Sequence, residues 1–178
     1  PIVATAIHAG HEMRPEVAAL CAVPEDIRTR EEDPFTDQWL WYTPNTIAVA
    51  TSRFEFDLNR PREAAVYQQP EDAWGLELWH SPIPDVVVRR SLERYDEFYQ
   101  ELERLCDAAA AGRRRFVVFD VHSYNHRRRG PDAPVDDPDS SRQLVGLIEV
   151  LGGEQHGGSC VDQIPDQLPQ VETALRID

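Results

Sequence analysis

Residues 116–123 read Phe116-Val117-Val118-Phe119-Asp120-Val121-His122-Ser123, and this stretch decides the fold. Four bulky apolar residues follow an arginine run and lead into Asp120 and His122. An unbroken apolar run so short, rich in β-branched and aromatic side chains, predicts a strand covered on both faces. Such strands occupy the middle of α/β sheets, whose ligands gather at the carboxyl ends of the strands. Period-two alternation puts Asp120 and His122 on one face at that end. A strand-end histidine with a carboxylate two residues earlier suits a metal ligand and the acid that orients it. A solvated turn after a core strand is the competing reading of the same stretch.

Working outward, Ile2-Val3-Ala4-Thr5-Ala6-Ile7 predicts a first buried strand. It runs into His8-Ala9-Gly10-His11-Glu12, after which Pro15 and Glu16 suit the first turn of a helix through Val17, Leu20 and Cys21. His8 and His11, three apart in a loop, could chelate one ion, with Glu12 a competing oxygen ligand. An HxxH alone is a weak signal. It is, however, the second place where histidine meets a strand's carboxyl end.

Residues 24–43 are charged and broken by prolines, which predicts a long loop with one helical turn around Trp39 to Trp41. Its acids read as solvated surface, with Asp37 the exception singled out. A second strand is expected over 46–50. In the next segment Phe54, Phe56 and Leu58 alternate with Arg53, Glu55 and Asp57, so one face is expected buried and the other charged. Asn59 and Arg60 close it before Pro61. Arginine's planar fork matches a carboxylate, so Arg53, Asn59 and Arg60 could hold an acidic ligand. Ion pairs with the chain's own acids are the alternative.

His80, without a partner at ligand spacing, reads as structural. Asp85 is expected to cap the longest helix, marked by Val88, Leu92, Tyr95, Tyr99, Leu102 and Cys106 at steps of four and three. Gly112 would end it, with the arginines at 113–115 against the negative end of its dipole. Cys106 falls on the apolar face as a core residue. Beyond Ser123, His126 could reach the same site or face solvent. Residues 131–138 are rich in proline and aspartate, 144–151 form one more apolar element, strand or helix, and the rest shows little periodicity.

The 178 residues are read as one domain, 1–178. A net charge of −14, from 32 acids against 18 bases, argues against a nucleic-acid partner. No apolar run reaches membrane-span length, so no membrane association is expected. Three scattered cysteines without metal-finger spacing fit a reducing compartment, and the expected location is the cytoplasm. The sequence is silent on oligomeric state.

In their order along the chain, the histidine loop, Arg53…Asp57-Leu58-Asn59-Arg60 and Asp120-Val121-His122 resemble the N-formylglutamate amidohydrolase family. That family is related to the aspartoacylase and carboxypeptidase-A group of zinc hydrolases. The resemblance covers 1–134 and implies an α/β fold with a mixed, largely parallel central sheet flanked by helices, similar to the zinc-carboxypeptidase-like (phosphorylase/hydrolase-like) fold. It implies one divalent ion, zinc, on His8, His122 and either His11 or Glu12. His11 stands where glutamate is usual, and Glu12 lies one place late. Asn59 and Arg60, with Arg53, would hold the carboxylate of a small acidic N-acyl amino acid, and Asp120 would orient a ligand. The implied reaction is hydrolysis of an N-formyl or N-acyl amide. The family's general-base glutamate has no clear counterpart: Glu149 and Glu154 are the candidates. Residues 135–178 read as irregular and unassigned, so the expectation is a fold incomplete at its C-terminus. A metal-binding relative with weak or no turnover is the accompanying expectation.

Overall fold

The computed structural model describes residues 2–111 and 116–123, together with the backbone of 145–148. Strand β1 (Ile2–Ala6) lies inside a four-stranded sheet of order β2-β1-β3-β4, with β2 at Thr46–Ala48, β3 at Val117–Val121 and β4 at Val145–Ile148. β1 runs parallel to both β2 and β3, and β4 closes the described sheet antiparallel to β3. The sheet is therefore mixed and largely parallel, as the family resemblance implies. Helices α1 (Pro15–Ala18), α2 (Glu25–Glu31) and α3 (Asp85–Ala110) lie in the connections.

Both faces of β1 are covered, which explains its lack of polar alternation. Val3 packs with Leu102, Cys106 and Ala109 of α3 and with Phe116 and Val118. On the opposite face Ala4 and Ala6 meet Leu40 and Val121. Small alanines let the 3₁₀ segment Thr36–Tyr42 approach closely, with only Leu40 of its apolar side chains turned fully inward. Each large apolar side chain removed from water contributes about 1.5–3 kcal/mol. A charge at Val3, which is fully buried, would break this seam.

Helix α3 forms where its apolar spacing predicts, burying Val87, Tyr95, Leu102, Cys106 and Ala109. Asp85 is its first helical residue rather than its cap; Pro84 precedes it in extended conformation with no side-chain capping bond. The carboxylate still favours the positive end of the helix dipole. Helix α1 is shorter than expected, because Cys21 leaves the helical path to bridge Trp79. Gly112 and the arginines at 113–115 lie outside the described residues, as do His126 and Glu149.

Two expectations are corrected. Residues 25–31 are helical within the stretch read as a loop. The inward side chains of α2 are the polar Arg28 and Glu31, so no apolar period announces the helix. Residues 53–58 are not a strand with one charged, solvated face. Glu55 and Asp57 are as buried as Phe54, Phe56 and Leu58. Such burial requires paired charges. Glu55 takes hydrogen bonds from Arg14 Nε at 2.6 Å, from the Arg14 backbone N–H at 2.8 Å and from Arg94 at 3.2 Å.

Candidate metal and anion site

The parallel register of β1 and β3 ends with Thr5 opposite Asp120, so the residues that follow each strand emerge side by side. This brings His8 and His122 together. The loop after β1 is pressed against the chain leaving β2: a Cβ at Gly10 would collide with the Ala50 carbonyl. Glycine is required there by space rather than by backbone angle. The next tie is the Asp33 N–H, which donates to the His8 carbonyl at 3.0 Å and fixes the turn after α2 beside the histidine.

His8 Nδ1, His122 Nδ1 and Asp33 Oδ2 converge. The aspartate oxygen is 3.5 Å from the first nitrogen and 2.8 Å from the second. Among the described residues, His8, Asp33 and His122 form a group whose ligand atoms all lie within 4.8 Å of one another and could hold a metal ion. Each imidazole is backed by a further carboxylate. His8 Nε2 donates to Asp57 Oδ1 at 2.8 Å, and His122 Nε2 to Asp120 Oδ2 at 2.8 Å. A carboxylate only accepts, so both Nε2 atoms carry the proton, and both Nδ1 atoms are directed to the shared centre. Asp120 is fixed in turn by the Thr5 hydroxyl at 2.6 Å.

The residues fit a cation on two counts. His8 Nδ1 is buried with no hydrogen-bond partner, an arrangement that proteins rarely leave unexplained. The donor set of two imidazoles and one carboxylate, each histidine braced by an acid, is one that zinc accepts. In the metal-free site the protonated His122 ring supplies the positive charge that the surrounding carboxylates call for. Burial alone would raise the Asp33 carboxyl, but the hydrogen bond from His122 Nδ1 at 2.8 Å and the nearby imidazoles hold it well below the usual carboxylate range. Burial would lower His122; the Asp120 and Asp33 carboxylates outweigh it and raise the imidazole to about 10.

Asp57 links this cluster to a group of arginines. Besides His8, it accepts from Arg53 Nη2 at 2.8 Å, from the Asn59 backbone N–H at 2.8 Å and from the Tyr67 hydroxyl. Arg60 Nε lies 3.5 Å from its second oxygen. Burial opposes the charge on Asp57, but Arg53 and His8 hold its carboxyl far down. Both guanidinium groups lie against aromatic rings, Arg53 on Trp74 and Arg60 on Tyr67, each 4.8 Å from the ring centroid. Arg60 Nη2 also donates to the Asp72 carbonyl at 2.7 Å.

The structure therefore brings His8, His122, Asp120, Arg53 and Arg60 into one connected network. It assigns other surroundings to the remaining candidates. His11 Nδ1 is engaged by Glu32, which is buried and also held by Ser52 and by Arg28 at 2.7 Å. Glu12 is exposed and forms a backbone bridge with Thr51. Asn59 is exposed, its contact with Asp57 made by the backbone. Asp37 is exposed as well; the acid of its loop that enters the cluster is Asp33. Glu149 and Glu154 lie outside the described residues. Sequence reasoning missed Asp33 because three consecutive acids carry no period that separates one from its neighbours. The following Pro34, which forces a turn, is the one signal that could have marked it.

Among models of known protein families, the chain matches N-formylglutamate amidohydrolase over residues 1–176. The match continues through 135–176, the stretch left unassigned by inspection. Comparison with curated proteins gives no match, and neither does comparison with solved structures. No helix among the described residues is long and apolar enough to cross a membrane.

Proposed function

The chain belongs to the N-formylglutamate amidohydrolase family, and on that premise we propose that it is a metal-dependent amidohydrolase. Its substrate would be a small acidic N-acyl amino acid such as N-formylglutamate. The observation that carries this reading is the convergence of His8 Nδ1, His122 Nδ1 and Asp33 Oδ2 beside two partly buried arginines, Arg53 and Arg60.

His8, Asp33 and His122 would hold the ion. Zinc, when bound, supplies Lewis acidity toward the amide carbonyl and the attacking water. The chain's own residues orient and bind. Asp57 and Asp120 keep the Nε2 protons of the two histidines, and so keep both Nδ1 atoms turned to the centre. Arg53 and Arg60 present positive charge on the far side of Asp57 for a substrate carboxylate. Holding that carboxylate would position the amide at the centre, where proximity contributes much of the rate. A glutamate from 149 or 154 would move the proton from water to the leaving amine.

The test is formate release from N-formylglutamate by the purified chain, with and without chelator, alongside metal analysis by mass spectrometry. Metal-dependent release supports the reading. Stoichiometric metal without release would instead identify a binding relative, and a folded protein that takes up no divalent ion would sink the proposal.

A further inference from the structure

Arg53 is the more deeply set of the two arginines, and its guanidinium is only partly engaged. Nη2 donates to Asp57 Oδ2 at 2.8 Å and Nη1 to the Glu31 carbonyl at 3.4 Å. The Nε–H is buried with no hydrogen-bond partner. Arginine has five N–H donors in one plane and no acceptor, so an unpartnered Nε–H points to an anionic oxygen approaching in that plane.

Trp74 covers a face of the same guanidinium, with Cζ 4.8 Å from the ring centroid. An aromatic ring there attracts the cation and leaves the in-plane edge to oxygen acceptors. Trp74 reaches this position through a left-handed backbone, φ 55° and ψ 27°, which is uncommon for a bulky side chain. The turn that imposes it is over-determined. Gln69 and Asp72 cap the 3₁₀ segment Pro70–Ala73 reciprocally, and the Gly75 N–H donates to the Pro70 carbonyl at 2.7 Å. Arg60 grips the Asp72 carbonyl from the other side. Phe54 and Tyr67 meet the indole edge-on, at 6.5 and 6.2 Å between centroids. Even so, Trp74 stays 36% exposed, so it is not a core residue. Backbone strain kept at a solvent-facing ring beside a partly buried cation is an outlier that calls for a functional explanation.

We propose that Trp74 is a specificity-determining residue. Its indole walls the Arg53 guanidinium so that the site takes a ligand carboxylate edge-on, and it favours carboxylates over the corresponding neutral amides. The substrate's identity rests on the amidohydrolase reading; dicarboxylate binding does not.

Glutarate, a dicarboxylate with no amide to cleave, probes the site without turnover. Titrated into the purified chain, it changes the tryptophan emission. Trp74→Phe abolishes that change and keeps glutarate affinity within about twofold, because a ring still covers Arg53. Trp74→Ala weakens glutarate about threefold to tenfold. It raises KM for N-formylglutamate by a similar factor at constant kcat, and leaves glutaramide, the neutral diamide of glutarate, as poor a ligand as it is for the wild type. The phenylalanine variant decides the matter where the alanine variant does not fold. Unchanged glutarate affinity in folded Trp74→Ala overturns the inference, and so does an emission change that survives in Trp74→Phe. Absence of glutarate binding by protein that cleaves N-formylglutamate overturns it too. Glutarate binding through Trp74 by protein without turnover supports the inference and sinks the amidohydrolase reading instead.

Discussion

The rings of His8 and His122 lie 5.1 Å apart, tilted by 58°, with the Asp33 carboxylate facing the Nδ1 atom of each. Three potential ligand atoms so close, two of them on histidines braced from behind, make a defined prediction. Asp33→Ala should abolish stoichiometric metal binding, as should His122→Ala, when measured by mass spectrometry on dialysed protein. His11→Gln should leave binding within about tenfold of wild type, because His11 is committed to Glu32. Loss of metal in His11→Gln with retention in Asp33→Ala would restore the ligand set expected from sequence alone.

The pH dependence of the metal-free protein follows from His122. Its folded-state value, raised to about 10, exceeds the ordinary histidine value of 6.5. A raised pKa means that the protonated ring stabilises the fold. That stability is fully present below about pH 6.5 and is lost as pH rises through about 10. Chelated protein should therefore melt at progressively lower temperature across that window. Binding of a cation needs the neutral ring, so metal affinity should rise over the same range with release of a proton. A melting temperature of the chelated protein that is flat from pH 6.5 to 10 would contradict the assigned contacts.

Asp57 is the residue whose loss should spread furthest. Asp57→Asn keeps the shape but removes the charge that neutralises Arg53 beside His8. Breaking a buried pair in this way costs about 3–5 kcal/mol. The loss of the acid behind His8 should also weaken metal binding by about 10- to 100-fold. Urea denaturation and metal titration read the two effects separately. A variant with wild-type stability and affinity would show that Asp57 links nothing.

The fold was legible in the sequence where apolar side chains decide it. FVVFDVHS announced β3, the run from Ile2 announced β1, and the steps from Val88 to Cys106 announced α3. Strand-end placement then made His8 and His122 visible as a pair. What stayed hidden depends on buried charge. Glu32, Asp33, Glu55 and Asp57 are all buried, yet in sequence each looks like one more acid in a chain of net charge −14. Their partners, such as Arg28 for Glu32 and Arg14 for Glu55, become known only once the chain is folded. Helix α2 was missed for the same reason, since its inward residues are polar.

Arg60 tests the anion side independently of the metal. Its guanidinium is held by the Tyr67 ring and the Asp72 carbonyl. A clamp of this kind acts on ground state and transition state alike. Arg60→Ala should thus raise KM for N-formylglutamate by about 10- to 100-fold with little change in kcat. A normal KM combined with a lowered melting temperature would assign Arg60 a structural role only.

The proton-transfer residue is the last point to test. A divalent ion brings the pKa of a water molecule toward neutrality, so slow hydrolysis needs no further base. A positioned carboxylate typically adds a factor of about 10² to 10⁴. Glu149 and Glu154 are the candidates from the C-terminal stretch, which the family match includes. One of Glu149→Gln and Glu154→Gln should lower kcat by about that factor while leaving metal content and KM near wild type. Glutamine is close in size to glutamate, so such a result would implicate the lost proton acceptor rather than packing. If both variants kept full turnover, neither glutamate would be the base. If the wild-type chain bound its metal and released no formate, the binding-relative reading would replace the amidohydrolase one.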